Sequence, residues 1–346
     1  MRQEQAPRGS RSARSAPRLR APNGSRPAGS APHRREPSLR VRRRRRLLVL
    51  AVVAVAVASY LLFSGGGPGR TILGRITGTA DAGTAVDPAV FASGACVSFP
   101  PTAGDRHLTV FLDAGHGGPD PGAVGTTTSG RTIYEADETL PVELDAMALL
   151  RRHGFTVVVS RTGDTSVIKL TPADVSGGEF TVQGSHDDVA ARALCADKAH
   201  ADLLVGIYFD AGSSPLDAGS VTGYDAVRSF AADNLRFARL LQSDVLSAMN
   251  AEGWEIPDEG VIQDSQLGSS LTQASINYGH LLLLGPADPG WFDTPSEMPG
   301  ALIEPLFITD PFEGSIAASA KGQQVIAGGI ARAVEQYFGP PSGRKG

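Results

Sequence analysis

Short apolar runs alternate with amphipathic segments over the second part of the chain. Runs with the length and β-branched content of buried strands occur at 108–112, 155–160, 203–207, 281–284 and 301–303. Apolar residues at helical spacing predict helices at 139–153, 189–200, 234–249 and 320–338. Strands that alternate with helices favour an α/β fold, here a single domain over residues 95–339 with a central, mostly parallel sheet flanked by helices.

Four polar side chains stand where these strands end. His116 lies on a glycine-rich turn, Asp113-Ala114-Gly115-His116-Gly117-Gly118, and the other three end later strands: Arg161, Tyr208 and Glu304. In open α/β sheets, ligands bind in the crevice outside the carboxyl ends of the strands. If the strands run parallel, we expect all four side chains to converge on one crevice.

The residue types in this crevice include those that bind zinc. His116 and the nearby carboxylate Glu135 offer nitrogen and oxygen ligands of the kind that catalytic zinc sites use. Glu304 comes from a separate strand and has the chemistry of a general base. Zinc at His116 and Glu135, with Glu304 as the catalytic residue, is therefore one interpretation of the crevice. A structural histidine beside a glycine turn and a solvated glutamate at a strand end are the alternative.

The charge of −4 for the whole chain hides two regions of opposite sign. Residues 1–46 contain fifteen arginines and two acidic residues, whereas the other 300 residues carry 17 basic and 34 acidic side chains. This tail has too few apolar residues to form a core, and we predict that it is disordered. Nucleic-acid binding is one interpretation of so many arginines, but the acidic remainder does not support it, and no nucleic-acid partner is expected.

The run from Leu47 to Phe63 predicts a membrane anchor. It contains seventeen uncharged residues directly after five arginines, and at about 1.5 Å per helical residue it just crosses a hydrocarbon core. The flanking arginines place the tail in the cytoplasm and the domain outside, in a single-pass protein of the cell membrane. Whether this segment is cleaved as a signal peptide stays open.

A Gly-, Ala-, Thr- and Pro-rich segment at 64–94 is predicted to be a linker, and residues 340–346 a short tail. The chain has two cysteines, Cys96 and Cys195. In an exported domain an even pair of cysteines favours a disulfide, and neither residue has a neighbouring His or Cys with which to bind metal.

Three segments carry a resemblance to a known family. The run from Leu112 to Gly125 (LDAGHGGPDPGAVG) resembles the opening signature of the amidase-3 type N-acetylmuramoyl-L-alanine amidases. The run from Glu135 to Leu140 (EADETL) resembles the segment with that family's glutamate ligand, and the run from Pro299 to Asp310 (PGALIEPLFITD) its strand with the catalytic glutamate. The resemblance covers about residues 108–338.

The resemblance implies a zinc hydrolase that cuts the amide between N-acetylmuramic acid and L-alanine in peptidoglycan. It implies that His116 and Glu135 hold zinc and that Glu304 is the general base and acid. Arg161 and Arg192 match weaker family positions, where a structural ion pair is favoured over a substrate contact.

The chain departs from the family at the third zinc ligand. Tyr208 stands where the family has a histidine, and a phenol must lose a proton to bind zinc. Tyr208 could coordinate as phenolate, Asp210 could supply an oxygen instead, or the site could bind metal weakly or not at all.

Two functions follow from this departure. One is a zinc amidase for cell-wall turnover. The alternative is a catalytically inactive relative that binds peptidoglycan or regulates another wall hydrolase. Retention of His116, Glu135 and Glu304 together favours the enzyme.

Overall fold

The computed structural model describes residues 83–267 and 273–340. The predicted tail at 1–46, the anchor at 47–63 and most of the predicted linker lie outside these residues. None of the helices within the described ranges is long and apolar enough to cross a membrane.

Over residues 83–267 and 273–340, twelve strands form one large sheet and two small hairpins. The strands are β1 Thr84–Ala85, β2 Ala95–Phe99, β3 Thr109–Ala114, β4 Val124–Thr126, β5 Thr132–Tyr134, β6 Thr156–Arg161, β7 Val175–Ser176, β8 Glu179–Phe180, β9 Leu203–Ile207, β10 Ser220–Tyr224, β11 Asp258–Gln263 and β12 Gly300–Glu304. The large sheet has eight strands in the order β1-β2-β6-β3-β9-β12-β10-β11. β4 pairs with β5, and β7 with β8.

Six α-helices and a short 3-10 helix at Asp264–Gln266 accompany the strands within the described ranges. The α-helices are α1 Glu135–Arg152, α2 Val182–Lys198, α3 Ala231–Ala251, α4 Gln273–Tyr278, α5 Pro311–Ala317 and α6 Ala320–Phe338. Side-chain oxygens cap three of them: Thr181 accepts from Gly184 at α2, Asp310 from Glu313 at α5, and Ser319 from Gly322 at α6. The α/β fold in one domain is therefore confirmed.

The sheet is mixed, and its four central strands have the parallel arrangement that the sequence predicts. β6, β3, β9 and β12 run parallel to one another. β2 is antiparallel to β6, and β10 is antiparallel to β12. The carboxyl ends of the four central strands consequently share one edge of the sheet, and the end of β10 lies at the opposite edge.

Both faces of the sheet are covered, which explains why its central strands are apolar throughout. On one face, Val110 and Leu112 pack in a core with α1, α3 and α6. On the other, Phe111 packs with α2 and with Leu281 and Leu283. The predicted strand at 281–284 is wrong, because these leucines form a turn that packs on the sheet without pairing to it.

The predicted disulfide between Cys96 and Cys195 is confirmed, with Cα atoms 5.8 Å apart. It ties β2 to α2. Ordered structure already precedes Ala95, since β1 pairs with β2 and Phe91 is buried.

Candidate active site

A pocket of about 220 Å³ opens at the edge where the four central strands end. Both polar and apolar residues line it. The polar residues are His116, Glu135, Tyr208, Asp210, Ser275 and Glu304, and Leu281, Leu282, Leu283 and Leu302 form the main apolar wall. The structure thus brings together His116, Glu135, Tyr208, Asp210 and Glu304. Arg161 and Arg192 are not among the residues that line the pocket.

His116 sits in a backbone conformation that few residues other than glycine adopt. Its φ is 62°, and the two glycines that follow it also have positive φ values. A side chain on Gly117 would meet the carbonyl oxygen of Thr165 at 2.6 Å. The glycines therefore allow a tight left-handed turn that aims the imidazole of His116 into the pocket, and such strain is typical of functional sites.

His116 and Glu135 meet directly. The Nε2 atom of His116 lies 3.0 Å from Oε2 of Glu135, and its Nδ1 atom lies 2.8 Å from Oδ2 of Asp120. Backbone N–H groups of Phe209 and Ala123 donate to the two oxygens of Glu135. One ring nitrogen of His116 is thus held by a carboxylate while the other faces a fixed glutamate, as in carboxylate–histidine–metal arrangements.

The charges around His116 are those of a cation site. Burial disfavours the charged imidazole, but Glu135 and Asp120 outweigh burial and raise the pKa of His116 to about 10. The positive charge of the imidazolium therefore compensates the negative charges of Glu135 and Asp120, which contact its two nitrogens. A metal cation could provide the same balance.

Tyr208 is turned away from this pair. Its hydroxyl donates to Oδ2 of Asp113 at 3.0 Å, and Asp113 also forms an ion pair of 2.7 Å with Arg192. Burial and the negative charge of Asp113 raise the pKa of Tyr208 well above its usual value. Tyr208 is consequently a neutral phenol whose ring packs edge-on against His116, with ring centres 5.3 Å apart.

Two buried arginines stabilise the turn through hydrogen bonds to its backbone. Arg161 donates to the carbonyl oxygens of Ala114 and Gly115, and Arg192 donates to those of Ala114 and His116. Arg192 also pairs with Asp188 at 2.9 Å. The prediction that Arg192 forms a structural ion pair is confirmed. Arg161 donates to backbone carbonyl groups and does not line the pocket.

Asp210 and Glu304 lie in the wall beside Tyr208. Tyr208 N donates to the carbonyl oxygen of Ile303, so Glu304, at the end of β12, stands next to the end of β9. Glu304 is only 2% exposed, and Asp210 accepts a hydrogen bond from Ala211. A buried carboxylate in the same pocket as His116 is suited to proton transfer.

Sequence reasoning missed Asp113, Asp120 and Gly122. A side chain on Gly122, which has a φ of 68°, would meet Oε2 of Glu135 and Cδ2 of His116, both at 2.8 Å. Asp113 and Asp120 lie within the recognised signature, but their partners become evident only once the turn is folded. The position of these acids within four residues of His116 was the one available signal.

The donor chemistry of His116 and Glu135 fits zinc, and Tyr208 does not complete the set. Imidazole nitrogen and carboxylate oxygen are usual zinc ligands, and the gap between Nε2 and Oε2 suits two ligands of one ion. Within the described residues, no third His, Cys, Asp or Glu forms a three-residue metal cluster with this pair.

Comparison with known proteins agrees with this geometry. The family described as N-acetylmuramoyl-L-alanine amidase (Amidase_3) matches residues 110–336. This match includes His116, Glu135, Tyr208 and Glu304.

Individual relatives carry the same description. The germination-specific N-acetylmuramoyl-L-alanine amidase of Bacillus subtilis is 26% identical over 229 residues, which cover 66% of this chain and 79% of that protein. The N-acetylmuramoyl-L-alanine amidase AmiA of Salmonella typhimurium is 27% identical over 252 residues, 68% of this chain and 77% of its own. The CwlD amidase from Clostridioides difficile, solved in complex with the GerS lipoprotein, shares the fold with a TM-score of 0.50 at 21% identity, over 67% of this chain and 98% of its own.

Proposed function

Because the chain belongs to the N-acetylmuramoyl-L-alanine amidase family, we propose that it is a zinc-dependent hydrolase of the amide between N-acetylmuramic acid and L-alanine in peptidoglycan. The observation that carries the proposal is the meeting of His116 and Glu135 in one pocket with Glu304. This set combines two zinc-type ligands with a separate carboxylate for proton transfer.

His116 and Glu135 would hold the zinc ion. Zinc supplies Lewis acidity, which polarises the carbonyl group of the scissile amide. Asp120 keeps the His116 ring oriented through Nδ1, and the N–H groups of Phe209 and Ala123 keep Glu135 in place. These contacts fix both donors before a substrate arrives.

Glu304 moves the proton. Its carboxylate accepts a proton from the attacking water and then donates it to the amine of L-alanine as the amide breaks. The leucine wall of the pocket, which includes Leu281, Leu282 and Leu283, limits the water around the reacting groups.

Peptidoglycan lies outside the cell membrane, so the catalytic domain must be outside as well. We propose that residues 47–63 anchor the protein in the cell membrane with its tail in the cytoplasm. The disulfide between Cys96 and Cys195 supports an oxidising compartment for the domain. Protease added to spheroplasts is expected to degrade the domain and to leave a tag on the tail intact. Protection of both would contradict this orientation.

The direct test is zinc analysis of the purified full-length protein together with release of stem peptides from muropeptides. We expect product with a new L-alanine amino terminus, and we expect Glu304→Gln to lower the rate by about 10²–10⁴-fold. Glu297→Gln, at an exposed position, is the matched control. No product, together with a zinc content that His116→Ala leaves unchanged, would refute the enzyme.

The position of Tyr208 favours a second candidate, an inactive relative that binds peptidoglycan. Under this function the unsubstituted protein binds muropeptide without cleaving it. Tyr208→His would then create amidase activity where none existed and increase the zinc content of the protein. If Tyr208→His changes an existing activity only in degree, the inactive candidate is excluded.

A further inference from the structure

A second group of metal-type ligands uses none of the residues of the candidate active site. Asp225 directly follows β10, Asp264 directly follows β11, and His280 follows α4. β10 runs antiparallel to β12 and parallel to β11. The ends of β10 and β11 therefore lie at the sheet edge opposite to the one that carries Glu304.

The three side chains converge closely. The Nδ1 atom of His280 lies 3.1 Å from Oδ2 of Asp225 and 3.3 Å from Oδ2 of Asp264. One ligand atom from each residue lies within 4.8 Å of the other two. Two atoms that bind one tetrahedral zinc ion at about 2.0–2.1 Å are roughly 3.3 Å apart, so this spacing suits a shared ion.

One of the carboxylate oxygens has no hydrogen-bond partner. Asp225 is fully buried, and its Oδ1 atom accepts from the N–H groups of Val227 and Arg228. Its Oδ2 atom accepts no hydrogen bond and faces His280. A buried carboxylate oxygen without such a partner is unfavourable unless a charge compensates it.

Asp264 is fixed in a similar way. It is 1% exposed, and its two oxygens accept from the N–H groups of Ser265 and Leu281. Backbone donors thus orient both aspartates toward His280. Two buried carboxylates therefore contact one imidazole. The excess negative charge favours a divalent cation at their centre.

We propose that Asp225, Asp264 and His280 form a second divalent-cation site, of the type that binds zinc through one imidazole and two carboxylates. Three protein ligands leave a fourth position for water. The site is independent of the proposed zinc at His116 and Glu135, because it uses other residues at the other edge of the sheet.

The position of the site indicates what the cation would do. His280 directly precedes Leu281, Leu282 and Leu283, which form the apolar wall of the catalytic pocket. Leu281 N donates to Asp264, so the wall is already tied to this cluster. A cation here would join the ends of β10 and β11 to the start of the wall and so hold the pocket in shape.

The test measures zinc binding in a variant that lacks the candidate ligands His116 and Glu135. In full-length protein with His116→Ala and Glu135→Gln, we expect equilibrium dialysis to show one zinc ion per chain and added zinc to raise the melting temperature. A further His280→Ala substitution should weaken this binding by at least about 100-fold. His107→Ala is the matched control, since His107 also pairs with an aspartate but is exposed.

Asp225→Asn provides a second variant if the first one folds poorly, and circular dichroism checks the fold of each. Loss of zinc binding in both variants, with the fold retained, supports the site. Failure of the His116 and Glu135 double variant to bind zinc would overturn the proposal and leave His280 as an ion-pair partner of the aspartates. Zinc that remains after His280→Ala and Asp225→Asn would also overturn it. None of these results depends on amidase activity.

Discussion

The hydroxyl of Tyr208 donates a hydrogen bond of 3.0 Å to Asp113 and not to the pair formed by His116 and Glu135. Asp113 is fully buried and is shared between this phenol and Arg192. Tyr208 is therefore part of the buried network beneath the turn. Its ring also fills the space over Gly115, where a Cβ atom would lie 2.5 Å from it.

Tyr208→Phe tests this role. The change removes one donor from buried Asp113, so we expect the free energy of unfolding to fall by about 1–3 kcal/mol. Zinc content should not change, because the hydroxyl is not a ligand. Chemical denaturation and metal analysis measure the two effects, and Tyr134→Phe, at an exposed position, is the control. Loss of zinc in Tyr208→Phe would identify a phenolate ligand.

Gly122→Ala should displace His116 and Glu135, the candidate zinc ligands, from each other. Its new Cβ atom would meet both His116 and Glu135 at 2.8 Å, and its φ of 68° already disfavours a side chain. We expect zinc binding and muropeptide cleavage to fall by at least about tenfold while the fold persists.

Gly130→Ala is the matched control for this substitution. Gly130 has a similar φ of 78°, but no atom lies within 4 Å of the added methyl group. It therefore carries the backbone strain without the contact. Equal losses of zinc in both variants would show that strain, and not displacement of the ligands, is responsible.

The sequence predicted those elements best whose apolar pattern covers their full length. The bounds of β9 and α6 agree with the prediction. α1 begins at Glu135 rather than at residue 139, because its first turn is rich in acidic residues and gives no apolar period. The leucines at 281–284 show the limit, since a short buried run looks the same whether it pairs in a sheet or packs on one.

The site was predictable to the extent that it depends on strand ends. His116, Tyr208 and Glu304 converge because β3, β9 and β12 are parallel, as expected. The pairing of His116 with Asp120 and of Tyr208 with Asp113 depends on the left-handed turn, which sequence spacing does not reveal. The cluster at Asp225 was missed because it requires the reversed direction of β10, and no pattern in the sequence indicates that reversal.

The disulfide should contribute much of the stability of the domain. Cys96 and Cys195 are separated by 99 positions, and closing so long a loop restricts the unfolded chain strongly. Replacement of both cysteines by serine should lower the free energy of unfolding by about 2–5 kcal/mol, as measured with denaturant. Reductant should reproduce the loss in the unsubstituted protein and leave the double variant unchanged. A variant as stable as the parent would contradict this.

Glu143 should make the stability of the domain depend on pH. Its Oε1 atom accepts from the N–H groups of Ala114 and Ser160 and from the hydroxyl of Ser160, whereas its Oε2 atom has no hydrogen-bond partner. Burial raises the pKa of Glu143 from its usual value of 4.5 to about 8. The folded protein therefore binds this proton more tightly than the unfolded chain does. The resulting stabilisation is complete below pH 4.5 and is lost as the pH rises to about 8.

Glu143→Gln removes this proton while an amide oxygen can still accept from Ala114 and Ser160. We expect the fall in the free energy of unfolding between pH 5 and 8 to be smaller in Glu143→Gln than in the parent by an amount on the order of a few kcal/mol. Denaturant unfolding at several pH values measures the slope, and Glu259→Gln, at an exposed site on β11, should keep the parental slope. An unchanged slope in Glu143→Gln would mean that other buried carboxyl groups, such as Glu138 and Glu313, whose pKa values burial raises to about 7, account for the dependence.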